Sequence, residues 1–198
     1  MGTVPVRVAT PADVDGLVDT VTSAFFDDPL WSPIFPDAES RAAQSSAFWR
    51  LSVTSALRYP WMLVTENLES VAVWIPPEGE ELTGDEADGL DAFLENLVGR
   101  AGADSILAIY DQFEAARPAE PHFYLSLLAT HAKHRGRGLG MGLLRENLAR
   151  IDTLHAPAYL ESSNPANNAR YSGVGFRSVG EFATATGQVV TTMWRDAR

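Results

Sequence analysis

The stretch from His122 to Ile151 constrains this chain most. HFYLSLLAT (122–130) is its longest strand-like run, and GLGMGLLRENLARI (138–151) places Leu143, Leu144, Leu148 and Ile151 at helical spacing. Where the two meet, Gly136, Gly138, Gly140 and Gly142 stand at alternate positions. A strand that feeds a helix through so glycine-rich a turn implies a layered arrangement in which the helix packs back on a sheet. The glycines let the main chain approach a ligand closely, and the helix that follows offers unpaired N–H groups and the positive end of its dipole. Those are the requirements of a phosphate site, to which Lys133 and Arg137 could add charge. A dinucleotide fingerprint fits poorly, since it would lie near the start of a βαβ unit with an acidic residue about 20 positions on. No GxxxxGK[ST] is present, which excludes a P-loop. Taken alone, the segment also suits a glycine-rich turn that binds nothing.

The rest of the chain sets the architecture around that turn. PVRVA (5–9) reads as a strand, and 10–26 as a helix opened by Thr10 with Pro11 and Asp13 behind it and Val14, Leu17, Val18, Val21 and Phe25 on one face. DDPLWSPIFPD (27–37) reads as a loop and 40–59 as a second helix. WMLVTE and SVAVWIP, separated by Asn67, Leu68 and Glu69, suit an antiparallel pair. The span 84–116 reads as an inserted helical pair interrupted near Gly99–Gly102, and the prolines of AARPAEPH reset the chain to extended form. Beyond the glycine-rich turn, PAYLES, a short helix in ANNARYSGV, SVGEFAT, a Thr186–Gly187 turn and QVVTTMWR complete the order. This order predicts one α/β domain over residues 1–198, with a central mixed, mostly antiparallel sheet of six to seven strands flanked by helices.

With 198 residues, 45 % of them hydrophobic, the chain is long enough for one well-buried core and short for two. The absence of cysteine excludes disulfides, thiolate nucleophiles and Cys-ligated zinc, and no metal site is expected. The net charge of −11 argues against nucleic acid as a partner, because phosphate backbones are held by Lys and Arg. The charge is uneven: 66–120 carries only Arg100 and Arg117 against many acids, whereas 133–150 is basic. The acidic stretch suits either a solvated helical face or attraction for a cationic substrate. No apolar run approaches the roughly 20 residues needed to span a bilayer, and the N-terminus lacks a signal-peptide core. A cytoplasmic protein without membrane partners, monomeric or homodimeric, is expected.

Two motifs narrow the function. Arg135-x-x-Gly138-x-Gly140 resembles the acetyl-CoA signature of the GCN5-related N-acetyltransferases, and Asn167…Tyr171-Ser172-Gly173-Val174-Gly175-Phe176 resembles that family's second signature, in the same order and separation. The resemblance covers nearly the whole chain. Through Ala24-Phe25…Asp28-Pro29, Ala72-Val73-Trp74, Arg117-Pro118-x-Glu120-Pro121 and Leu160-Glu161-Ser162-Ser163 it looks most like the puromycin N-acetyltransferase branch. It implies that acetyl-CoA is the cosubstrate. Its pyrophosphate would rest on the turn carrying Arg135, Gly136, Arg137, Gly138, Leu139, Gly140 and Met141. The main chain of Leu128 and Thr130 would hold pantetheine on a strand that splays from its neighbour, and the Leu128 amide would polarise the thioester carbonyl. Asn167 would contact pantetheine or cap a turn.

Tyr171 matches the family tyrosine that protonates the departing thiolate. Many relatives carry a glutamate base on the fourth strand, but Tyr124 occupies that position here. Glu161 on the next strand is the nearest acidic candidate, acting directly or through a water, or else is a structural carboxylate. His122 and His131 are further candidates, although a lone histidine is more often a surface or hydrogen-bonded residue. By resemblance the loop after the first helix walls the acceptor pocket, with Phe25, Phe26, Asp27, Asp28, Leu30 and Trp31. Aromatic walls with carboxylates suit a cationic small molecule, and Trp74 belongs to the core. The function implied is transfer of the acetyl group of acetyl-CoA to a primary amine of a small molecule by direct attack. Two alternatives stand beside it: a protein or peptide N-terminal acetyltransferase, which the 84–116 insert disfavours, and a non-catalytic acyl-CoA-binding regulatory domain, which the missing fourth-strand carboxylate favours.

Overall fold

Alternation along the strands divides the core in two. In a computed structural model, which describes residues 5–198, Val71, Val73 and Ile75 of strand β3 (Ser70–Ile75) join one buried cluster while Ala72 and Trp74 join the other. The same two-residue period puts Met62 and Val64 of β2 (Met62–Thr65) on the first face and Leu63 on the second. β2 and β3 are buried on both faces, so their sequences read as unbroken apolar runs.

The seven strands form one sheet in the order β1-β2-β3-β4-β5-β7-β6, which adds β1 (Val6–Val8), β4 (Phe123–Thr130), β5 (Ala158–Ser162), β6 (Arg177–Ala183) and β7 (Val189–Arg195). Every pairing is antiparallel except β4–β5, which is parallel. The mixed, mostly antiparallel sheet expected from the element order is observed.

Helices α1 (Val14–Phe25), α2 (Arg41–Ala56) and α3 (Gly84–Ala116) supply the first cluster through residues such as Leu17, Val21, Phe48, Leu94 and Ile106. The opposite face is covered by α4 (Leu139–Asp152) with Leu143, Leu144, Leu148 and Ile151, the residues singled out by helical spacing. A single 3-10 turn at Pro11–Asp13 precedes α1, where the sequence predicts continuous helix from Thr10. There the Asp13 carboxylate accepts from Thr10 N and Oγ1 at 2.8 Å and pairs with Arg7 at 2.7 Å. α2 also stops at Ala56, short of the predicted Tyr59.

The predicted interruption of the insert is a kink at Gly99, whose φ of 74° is the left-handed conformation glycine favours. Arg100 gathers Asp91, Glu95 and Asp104 around it on the exposed surface, and the other half of the insert starts from a Thr83–Glu86 capping box. No helix among the described residues is long and apolar enough to cross a membrane.

Candidate active site

Two local events open the centre of the sheet. β4 pairs with β5 only at Phe123↔Ala158 and Tyr124↔Tyr159, after which the strands diverge. At the same level the β3–β4 register slips, with Val73 opposite Leu127 but Trp74 opposite Leu125, so Ser126 is an extra residue. The bulge resets the alternation: Phe123 and Leu125 face the α4 side, whereas Tyr124, Leu127 and Ala129 face the α1–α3 side. The opening between β4 and β5 is therefore built by the strands themselves.

β4 then runs through a 3-10 turn at Ala132–His134 into the glycine-rich segment. Gly136 and Gly138 have φ of 79° and 76°, and a Cβ at either would meet open space, so the left-handed backbone is what requires glycine there. Gly140 is required by packing instead, because its Cβ would lie 2.8 Å from Thr130 Oγ1. The amides from Gly136 to Met141 make no main-chain hydrogen bond within the described residues, while Gly142 N already donates to Gly138 O. Gly136, Gly138, Leu139, Gly140 and Met141 border a cleft of about 610 Å³ together with Leu128, Thr130, Arg135, Asn167 and Tyr171. An open cradle of unpaired amides at a helix N-terminus fits the diphosphate of acetyl-CoA.

A second cavity of about 90 Å³ shares Phe25, Asp28, Leu128, Asn164, Asn167 and Tyr171 with the cleft and extends between β4 and β5 to Trp31, Phe113, Tyr124 and Glu161. Glu161 Oε1 is buried and has no hydrogen-bond partner among the described residues. Burial pushes the Glu161 carboxyl up to about 7, against the opposing pull of the Tyr124 hydroxyl and the Arg117 guanidinium. Arg117 lies 4.2 Å over the Tyr124 ring and pairs with Glu81 at 3.2 Å, and Ser126 Oγ donates to Glu81 Oε1 at 2.6 Å. Burial raises Tyr171 to about 12, so its hydroxyl keeps its proton at neutral pH. The Asp28 carboxyl is also raised by burial, but Leu30 N (2.9 Å), Trp31 N (3.3 Å) and Ser163 Oγ (3.3 Å) donate to it, making it the staple of the loop.

Leu128, Thr130, Arg135, Gly136, Gly138, Leu139, Gly140, Met141, Asn167, Tyr171, Asp27 and Asp28 all border the cleft, and Glu161 and Trp31 border the inner cavity. Four side chains depart from expectation: Leu30 is buried in the first core cluster and, like Lys133, Arg137 and Phe26, borders neither cavity. Arg137 sits 3.0 Å from His134 Nδ1. Phe26 turns away too, under the Arg41 guanidinium at 5.3 Å, because α1 extends through Phe25 and leaves Phe25 facing the cleft. Arg135 does border the cleft, but its guanidinium donates to Ala24 O at 2.6 Å, tying the cradle to the end of α1.

His122 is buried with Nδ1 2.6 Å from Glu120 O and its ring against Tyr159 and Trp194, and His131 Nδ1 accepts from Lys133 N. Neither borders the cleft or the inner cavity. Asn164, not Asn167, caps the turn before α5 (Asn168–Ser172), while Asn167 Oδ1 accepts from Arg170. Trp74 is fully buried in the core. Among the described residues no His/Asp/Glu cluster is arranged to hold a metal. Sequence reasoning missed Phe113, Ser126, Glu81 and the part played by Arg117. The available signals were the Arg117-Pro118 pair and the aromatic spacing late in α3.

Solved structures share this architecture. The Corynebacterium glutamicum protein described as histone acetyltransferase HPA2 and related acetyltransferase is 26 % identical, with a TM-score of 0.73 over 98 % of this chain and 96 % of that one. An agmatine N-acetyltransferase is 16 % identical with a TM-score of 0.65, covering 98 % and 100 % of the two chains. The Drosophila melanogaster polyamine N-acetyltransferase is 17 % identical with a TM-score of 0.61, covering 97 % and 99 %. No protein-family model matches. The fold is that of the GCN5-related N-acetyltransferases.

Proposed function

We propose that this chain is an acetyl-CoA-dependent N-acetyltransferase acting on a primary amine of a small molecule. The observation that carries the reading is the junction at Leu128 and Tyr171, where a cleft lined by unpaired amides meets a small cavity holding a buried carboxylate with one oxygen, Glu161 Oε1, without a hydrogen-bond partner among the described residues. Two of the solved structures with this fold are named for agmatine and polyamine acetylation.

When bound, acetyl-CoA supplies an activated acetyl thioester. The amides of Gly136 to Met141 would hold its diphosphate, and the Leu128 amide would donate to its carbonyl oxygen where negative charge develops. Glu161, ionised above its raised pKa, takes the ammonium proton at Oε1 and frees the nitrogen lone pair to form the N–C bond. Tyr171 Oη delivers its own proton to the sulfur as the C–S bond breaks. The tyrosinate takes the second nitrogen proton of the adduct, so that the neutral amide and the free thiol leave, Tyr171 is restored and Glu161 returns its proton to solvent. Glu81 and Arg117 hold Tyr124 in place beside Glu161.

The raised Glu161 also answers the objection that the fourth strand lacks a carboxylate: Tyr124 fills that position, and the base comes from β5 across the opening. The test is titration of acetyl-CoA by calorimetry, followed by thiol release with a panel of amines. Tight binding with amine-dependent release is expected. Binding with no release for any amine would leave the regulatory acyl-CoA-binding alternative in its place.

A further inference from the structure

On the transferase reading, we propose that the acceptor is a short, unbranched primary alkylamine carrying a single positive charge, and that Phe113 of α3 sets its size limit. Three observations bound the class. The inner cavity, about 90 Å³, is smaller than a cavity of about 150 Å³ that holds benzene. The nitrogen must lie where Leu128 and Tyr171 border both cavities, so its neighbouring carbon is already inside the smaller one, and a branch there adds bulk where space is least.

The charge pattern is the second bound. Of the two carboxylates on this cavity, Asp28 is occupied by Leu30 N, Trp31 N and Ser163 Oγ, which leaves Glu161 Oε1 as the anionic atom without a partner among the described residues. One ammonium is matched and a second is not. The third bound is the wall: Phe25, Trp31 and Phe113 give the cavity an aromatic lining suited to CH₂ groups and to a cation over a ring face. Phe113 meets Trp31 edge-on at 6.5 Å and Phe182 at 5.8 Å, so it reaches the cavity from α3 as a braced side chain.

The test compares kcat/KM for n-butylamine, sec-butylamine, benzylamine, spermidine and a short peptide in thiol release, for the wild type and for Phe113→Ala and Phe113→Leu. The wild type should prefer n-butylamine over each of the others by about tenfold or more, the range that a methylene-sized difference produces in an apolar pocket. Phe113→Ala should shift the benzylamine to n-butylamine ratio upward by about tenfold, with Phe113→Leu intermediate. The ratio is read within each protein, so a partly unfolded variant still reports, and the wild-type ranking stands without any variant. Equal or better rates with sec-butylamine, benzylamine, spermidine or the peptide would overturn the size and charge assignment while leaving the transferase reading intact. Unchanged ratios in both variants would remove Phe113 from it. No release with any amine would end both readings.

Discussion

In the proposed mechanism Glu161 is the general base. A base must be ionised to act, and burial sets its pKa to about 7, so turnover should rise with pH through that value. Glu161→Gln should lower kcat by about 10²-fold and abolish that limb of the pH–rate profile. The same shift makes a stability prediction of opposite sense. Because the folded state holds this proton more tightly than the unfolded chain, stability falls as pH rises from the ordinary carboxylate range to about 7, and the penalty is complete above it. Glu161→Gln should therefore be more stable than the wild type at pH 8, by on the order of 2–3 kcal/mol in urea unfolding. Tyr171 needs the reverse property. Kept protonated by burial, it can donate at neutral pH, and Tyr171→Phe should reduce kcat by about 10²-fold while leaving acetyl-CoA affinity by calorimetry nearly unchanged.

At the level of elements, the site depends on one turn and one bulge. Gly138, at a φ of 76°, starts α4 and opens onto free space. Gly138→Glu should add strain of about 1–2 kcal/mol and place a carboxylate among amides that would hold a diphosphate. Loss of detectable acetyl-CoA binding by calorimetry, with circular dichroism retained, is the expected result. The bulge at Ser126 acts in two ways: it sets Tyr124 on the α1–α3 face, beside Glu161, and its Oγ donates to Glu81. α3 contributes differently at its two ends. Its exposed ion pairs around Arg100 lie in solvent, where such contacts count for little. Its last turns carry Phe113 to the inner cavity.

Across the whole molecule, the final strand holds the site together, because β7 inserts between β5 and β6 and so fixes the outer side of the strand that bears Glu161. Arg195 of β7 is 3 % exposed and pairs with Asp152 at the end of α4 at 2.7 Å, joining that strand to the helix that begins at the cradle. Asp152→Ala would leave a buried guanidinium unpaired and should lower stability by about 3 kcal/mol in urea unfolding at pH 7. Since Arg195 depresses the Asp152 pKa, that contribution is present above the ordinary carboxylate range and fades as pH falls through the depressed value, which narrows the gap between variant and wild type in acid. The glycine-rich turn, the apolar period of each strand and helix and the break at Gly99 were legible in the residues, because left-handed backbone, two-residue alternation and helical spacing are local rules. Tyr171 and Glu161 entered as candidates only through the resemblance to the acetyltransferase motifs. The Ser126 bulge, the divergence of β4 from β5, Phe25 rather than Phe26 facing the cleft, and the gathering of Glu81, Arg117 and Phe113 from α3 and its flanks were decided only by the tertiary structure. These depend on which strands neighbour each other and how far apart they lie, and no local pattern of residues encodes a distance between segments remote in the chain.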